Sequence, residues 1–296
     1  MGFTGIILAA VALSAQPTAR QVVEATIDGR ISEVGGFDES VLSRFLNYPP
    51  NAAVANSAFL SEHFVSPFKP NPKFWLKGVD FTCASPWNSA GGRQRAGTAI
   101  SRRHIAFAKH FQIGKGTRIV FVGADGSPSA YYVEKTKALK KGDIMIGSLN
   151  AELTPDIHPA RIMPSDWTNH LGRAEGLPVV AMTQEEKASV SELMPLLTNS
   201  VYDLVSFRKP KVESRKPYRL PIRPGDSGGP VFVILGDEAV LLFTLTTHMG
   251  GYGFHNFRAE IQSVMDELCP GYTLEVFDFA TSGAMGSHQK SGLSDN

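Results

Sequence analysis

Residues 223–230 read Arg-Pro-Gly-Asp-Ser-Gly-Gly-Pro, and this stretch constrains the chain more than any other. Three glycines in five positions permit backbone angles that side chains resist, which reads as a tight turn. Pro230 fits the first position of a following strand, where its missing N–H costs little. Ser227 is a poor nucleophile until a base removes its proton. Gly225 and Ser227 would offer two backbone N–H groups to an oxyanion developing at an attacked carbonyl. The turn thus asks for a base and a group to orient it, both contributed from elsewhere in the chain.

Two upstream segments answer. Residues 97–111, Gly-Thr-Ala-Ile-Ser-Arg-Arg-His-Ile-Ala-Phe-Ala-Lys-His-Phe, form a strand, a turn and a strand that end at His110, with His104 in the turn. Residues 142–149, Gly-Asp-Ile-Met-Ile-Gly-Ser-Leu, place Asp143 before an apolar strand, and the proline-bounded 155–164 follows. With Gly225 to Pro230 these segments resemble the chymotrypsin/trypsin family of serine proteases, in that family's chain order of His, Asp and Ser. The separations are 33 residues from His110 to Asp143 and 84 from Asp143 to Ser227. Lys109 and Phe111 stand where the family usually has Ala and Cys, so its disulfide beside the histidine is absent. Asp125 and Asp156 fall in a turn and a loop and read as surface carboxylates.

The resemblance implies an all-β fold of two antiparallel six-stranded barrels, with a C-terminal helix over residues 259–268. It implies a serine endopeptidase working through an acyl-enzyme, with His110 as general base and acid and Asp143 holding its tautomer. No metal or cofactor is needed. Thr246 or Thr247 would supply a hydroxyl supporting the aspartate. The base of the primary pocket falls at Pro221, followed by Ile222, with Thr246, Thr247 and His248 at its wall or rim. No carboxylate lies there, so cleavage after Arg or Lys is not expected, and an apolar or acidic side chain is. A catalytically idle binding module and an esterase on the same three residues are the alternatives.

Zymogens of this family free an Ile-Val-Gly-Gly terminus that pairs with the aspartate before the serine. Residues 30–36, Arg-Ile-Ser-Glu-Val-Gly-Gly, match it loosely, but Ile31 lies 79 residues before His110 and two residues separate it from Val-Gly-Gly. The match is rejected, and Asp226 is expected to find another partner, such as an arginine.

The boundaries follow: 1–15 a signal-like segment, 16–72 an extension or pro-segment, 73–165 the first barrel, 166–279 the second with its helix, and 280–296 a disordered tail. Residues 3–15 form an apolar run ending in small residues, which suggests a secreted or periplasmic protein, although no Lys or Arg precedes it. A buried N-terminal helix or strand is the other reading. In the extension, residues 39–46 suggest a helix capped by Asp38 or Ser40, residues 52–65 a second, and 67–72 a linker. Strands are expected at 75–83, 95–101, 117–122, 130–135, 176–182, 188–194, 200–207, 230–235 and 239–247.

With 296 residues, 43% of them hydrophobic, the chain can bury a full core. A net charge of +1 gives no reason to expect nucleic acid, and no stretch is long enough to insert stably in a membrane. The expected partner is a peptide or protein substrate. Cys83 and Cys269 exclude a disulfide-dense scaffold and read as a pair or as two buried thiols. Residues 208–219 carry six Lys or Arg and two prolines and read as a solvated basic loop.

Overall fold

The computed structural model describes residues 16–46, 68–85, 96–183, 185–196 and 204–281. The signal-like run at 3–15, the helix expected at 52–65 and the tail from 282 lie outside them.

Short runs of β-branched and aromatic residues give two curled antiparallel sheets. The first contains β1 (Thr98–Ala99), β2 (His104–Ala108), β3 (Arg118–Val122), β4 (Pro128–Ala138) and β5 (Ile144–Leu149), in the order β1-β2-β5-β4-β3. The second contains β6 (Pro178–Met182), β7 (Ala188–Leu193), β8 (Leu204–Arg208), β9 (Pro230–Leu235), β10 (Glu238–Thr244) and β11 (Gly250–Tyr252), in the order β10-β9-β6-β7-β8-β11. Bulges between Val133 and Lys135 in β4 and between Leu241 and Phe243 in β10 help the sheets curl. Most strands are buried on both faces, as expected of walls closed over a core. Two curled antiparallel sheets are consistent with the double-barrel arrangement anticipated, with a five-stranded first sheet where six strands were expected.

The missing strand has a physical reason. Gly78 has φ +92°, outside the extended region a strand needs, and Asp80 Oδ1 accepts the Thr82 N–H at 2.8 Å, so the chain turns within 75–83. The segment folds as successive turns, with Lys77 N–H on Phe74 O, Val79 on Leu76 O and Ala84 on Phe81 O (2.9–3.1 Å). Phe81 meets Phe232 of β9 at 5.6 Å, and the Trp75 indole N–H donates to Ala188 O of β7. Only residues 83–85 run along β1, where Ala99 N–H donates to Cys83 O and Ser85 N–H to Gly97 O.

The C-terminal helix, Arg258–Leu268, falls where expected and covers the first sheet with Ile261, Val264, Met265 and Leu268. A helix at Ala19–Glu33 (α1) was not anticipated. Its signals are local: Thr18 and Gln21 form a reciprocal capping box, and Ala19, Val23, Ile27 and Ile31 recur at four-residue spacing to make a buried stripe against β9. Ile31, the residue of the rejected zymogen match, sits on that stripe. The predicted helix at 39–46 shortens to a 3₁₀ turn, Glu39–Leu42, and Asp38 caps it through Ser40 N–H. Residues 68–72 are not a free linker, because Phe68 is buried against Phe45 and Asn71 bonds the carbonyls of Ser40 and Ser43.

The basic loop is likewise corrected. Residues Glu213–Tyr218 form a 3₁₀ turn whose Arg215 is only 3% exposed. Its guanidinium forks onto Asp28 of α1 at 2.7 and 2.8 Å and lies 3.6 Å from buried Glu192. Cys83 and Cys269 are both free thiols, the first fully buried, which pushes its pKa well up. No helix among the described residues is long and apolar enough to cross a membrane.

Candidate active site

Each residue of the turn at 225–229 has a reason. Gly225 has φ +102° and Gly228 φ +85°, both in the region that favours glycine. A Cβ on Gly228 would lie 3.1 Å from Ala96 O and 3.3 Å from Ala108 N, so the turn reaches the first sheet at the end of β2. On Gly229 it would lie 2.8 Å from Met182 O. The turn is tied by Asp226 N–H to Arg223 O, Gly229 N–H to Asp226 O, and Gly228 N–H to Leu245 O (2.8–3.0 Å). The Gly225 and Ser227 N–H groups donate to no acceptor among the described residues.

His110 occupies a 3₁₀ turn, Lys109–Phe111, directly after β2. Gly142, at φ +76°, turns the chain into Asp143, and the Tyr252 ring lies 3.1 Å from where a Cβ would stand. Asp143 then holds the histidine at both ends. Its Oδ1 accepts the His110 backbone N–H at 2.8 Å, and its Oδ2 meets Nδ1 at 2.5 Å. On the other side of the ring, Nε2 lies 2.9 Å from Ser227 Oγ. A carboxylate accepts only, so Nδ1 carries the proton and Nε2 is left to accept from the serine hydroxyl. Phe111 lies beside the imidazole at 6.4 Å and 28°.

Asp226 is buried, and its Oδ2 accepts the Arg223 N–H at 2.6 Å. Its charge also acts on the Arg219 guanidinium, which stacks over Phe207 at 5.7 Å; burial lowers the Arg219 pKa and Asp226 opposes that shift. Asp226 thus takes a backbone hydrogen bond from Arg223 and acts electrostatically on Arg219.

Other expectations are corrected. Neither Thr246 nor Thr247 supports Asp143: the Thr246 hydroxyl is buried without a partner among the described residues, and the Thr247 hydroxyl is used by the turn to Gly250. The His110 backbone N–H occupies Asp143 Oδ1 instead. His104 is not in a turn but opens β2, fully buried, with Nδ1 on Ser101 Oγ (2.8 Å) and Nε2 on Met265 O (3.1 Å). Pro221 is exposed and Ile222 half-buried against the core. Thr247 and His248 are exposed in a short turn closed by two bonds to Gly250 O, and Thr246 is half-buried at its base. Sequence reading missed the buried pair of Arg44 and Glu186, for which no local signal exists. Among the described residues no cluster of His, Cys, Asp or Glu is arranged to hold a metal ion.

Burial draws the His104 pKa down to about 4. An unfolded histidine takes up its proton as pH falls through about 6.5, whereas the native one resists until about 4. Stability tied to neutral His104 is therefore present above that window and lost as pH falls across it, by about 3 kcal/mol at most. Denaturant midpoints at pH 7 and pH 4 should show the gap between wild type and His104→Gln closing by about that amount. A gap unchanged with pH would contradict it.

A scan of protein-family models finds no match to the chain, and a search of curated proteins finds none either. Among solved structures the human heparin binding protein is similar at 17% identity, over 64% of this chain and 92% of that one, with a TM-score of 0.47. The chemistry of this chain rests on its own geometry.

Proposed function

We propose that the chain is a serine endopeptidase that cleaves peptide bonds through an acyl-enzyme. The observation that carries this is His110 held between Asp143 Oδ2 at 2.5 Å and Ser227 Oγ at 2.9 Å. Ser227 Oγ attacks the scissile carbonyl while Nε2 takes its proton, and the imidazolium is stabilised by Asp143. The oxyanion is received by the N–H groups of Gly225 and Ser227. His110 then gives its proton to the leaving amine, and a water repeats the sequence to release the acyl group.

The substrate side supports a negative statement first. Pro221 and Ile222 bring no carboxylate to the base of the primary pocket, so Arg and Lys are not preferred before the scissile bond. Thr246, Thr247 and His248 form its rim, and an apolar or acidic side chain fits that lining. A mixed peptide library, with cleavage sites read by mass spectrometry, tests both points. Cleavage that favours apolar or acidic residues and vanishes in Ser227→Ala supports the proposal. Hydrolysis of simple esters alone would make the chain an esterase, and no turnover of either would make it a binding module.

A further inference from the structure

The extension before the first sheet does not stop at α1. Residues 38–46 cross to the β6–β7 hairpin, where Ser43 bridges Lys187 and Arg44 N–H donates to Glu186 O at 2.8 Å. The Arg44 guanidinium donates to Glu186 Oε2 at 3.2 Å and to Val122 O of β3 at 3.0 Å, joining the two sheets. Lys187 Nζ reaches Glu39 at 2.9 Å and Glu185 at 3.3 Å. Glu186 is 1% exposed and has φ +56°, the only non-glycine at positive φ among the described residues. Such strain persists where its surroundings over-determine it, and it concentrates near functional sites.

This hairpin is the wall against which the nucleophile turn rests. Thr183, Glu185 and Lys187 share a narrow cavity with Glu39, Pro221, Arg223 and Asp226. Ser189 Oγ accepts the Leu220 N–H at 2.9 Å, and Gly229 lies against Met182 O. Arg223, whose N–H holds Asp226, also acts electrostatically on Glu39, after the larger pull of Lys187. The same stretch of chain therefore touches the hairpin on one side and faces the loop that carries Asp226 on the other.

From this arrangement we infer that Glu39, Arg44 and Glu186 are positioning residues for the nucleophile turn, so that the extension completes the site in the uncut chain. The inference rests on the serine hydrolase reading. It assigns to an internal segment the ordering of the Asp226 loop that a freed N-terminus provides in zymogens. The Arg44 contact is a hydrogen bond whether or not Glu186 is ionised, so it holds across the neutral range. The extension's burial agrees, since removing it would strip Val23, Ile27, Val41 and Leu42 from the core.

Three measurements with a fluorophosphonate probe test the inference. The side chain of Glu39 is 67% exposed, so Glu39→Lys should fold as wild type, with a melting temperature within about 2 °C. It sets like charges against Lys187 and Arg223, and the limiting labelling rate should fall about fivefold with probe affinity unchanged. The charge swap Glu39→Lys with Lys187→Glu should recover most of that rate, which a merely structural role would not predict. Third, a protease site inserted between Gly35 and Gly36 allows the full chain to be cut in place, and cutting should slow labelling. Wild-type labelling in Glu39→Lys, no recovery in the swap, or faster labelling after the cut would overturn the inference. Failure of wild type to label, together with failure of the insertion variant to label before or after cutting, would instead remove the hydrolase reading beneath it.

Discussion

Asp143→Asn should lower kcat/KM by about 10⁴-fold while leaving the fold intact. The geometry dictates the direction. Asp143 Oδ1 accepts the His110 backbone N–H, and asparagine keeps that bond only by placing its own carbonyl there. Its amide NH₂ then faces Nδ1, which must become the acceptor, so the ring proton moves to Nε2. Nε2 now points a proton at Ser227 Oγ and cannot receive one. Steady-state kinetics of the variant on whichever peptide the library selects, beside an unchanged thermal melt, would display this. Activity within about tenfold of wild type would mean that the carboxylate does not set the tautomer.

A second large effect is expected far from the chemistry. Arg215→Ala should cost about 3–5 kcal/mol, because it removes one partner from a buried ionic cluster. Glu192, 2% exposed, would lose the cation beside it, and Asp28 on α1 would lose a two-pronged bond. The cost should appear as a lower denaturant midpoint with an unchanged slope. Lys209→Ala or Lys211→Ala, exposed neighbours in the same stretch, should stay within about 0.5 kcal/mol. Equal effects from all three would show that the loop is solvated and that α1 is not anchored through it.

These two expectations mark what was and was not legible in the sequence. The turn at 225–230, His110 and Asp143 are local signals: each polar residue sits in a turn at one end of a short apolar strand, before β9, after β2 and before β5. A buried ion pair has no such signature. Arg215 finds Asp28 across 187 positions and Arg44 finds Glu186 across 142, so the run of basic residues read as a solvated loop and Arg44 only as part of a short helix. Residues 75–83 were apolar enough for a strand, but Gly78 at positive φ and the Asp80 side chain on the Thr82 N–H turn the chain there. The missed α1 is different, because its capping box and four-residue stripe were present in the sequence. The Thr246 and Thr247 expectation failed on side-chain placement: the Thr246 hydroxyl meets no partner among the described residues, and the Thr247 hydroxyl is used within its own turn.

The central claim is that Ser227 is an activated nucleophile, and covalent labelling by a fluorophosphonate tests it most directly. Uncut wild type should gain one phosphonyl group, located on Ser227 by peptide mapping. Ser227→Ala should gain none, and His110→Ala should label more slowly by orders of magnitude. Labelling that persists in Ser227→Ala, or a folded wild type that never labels, would contradict the account.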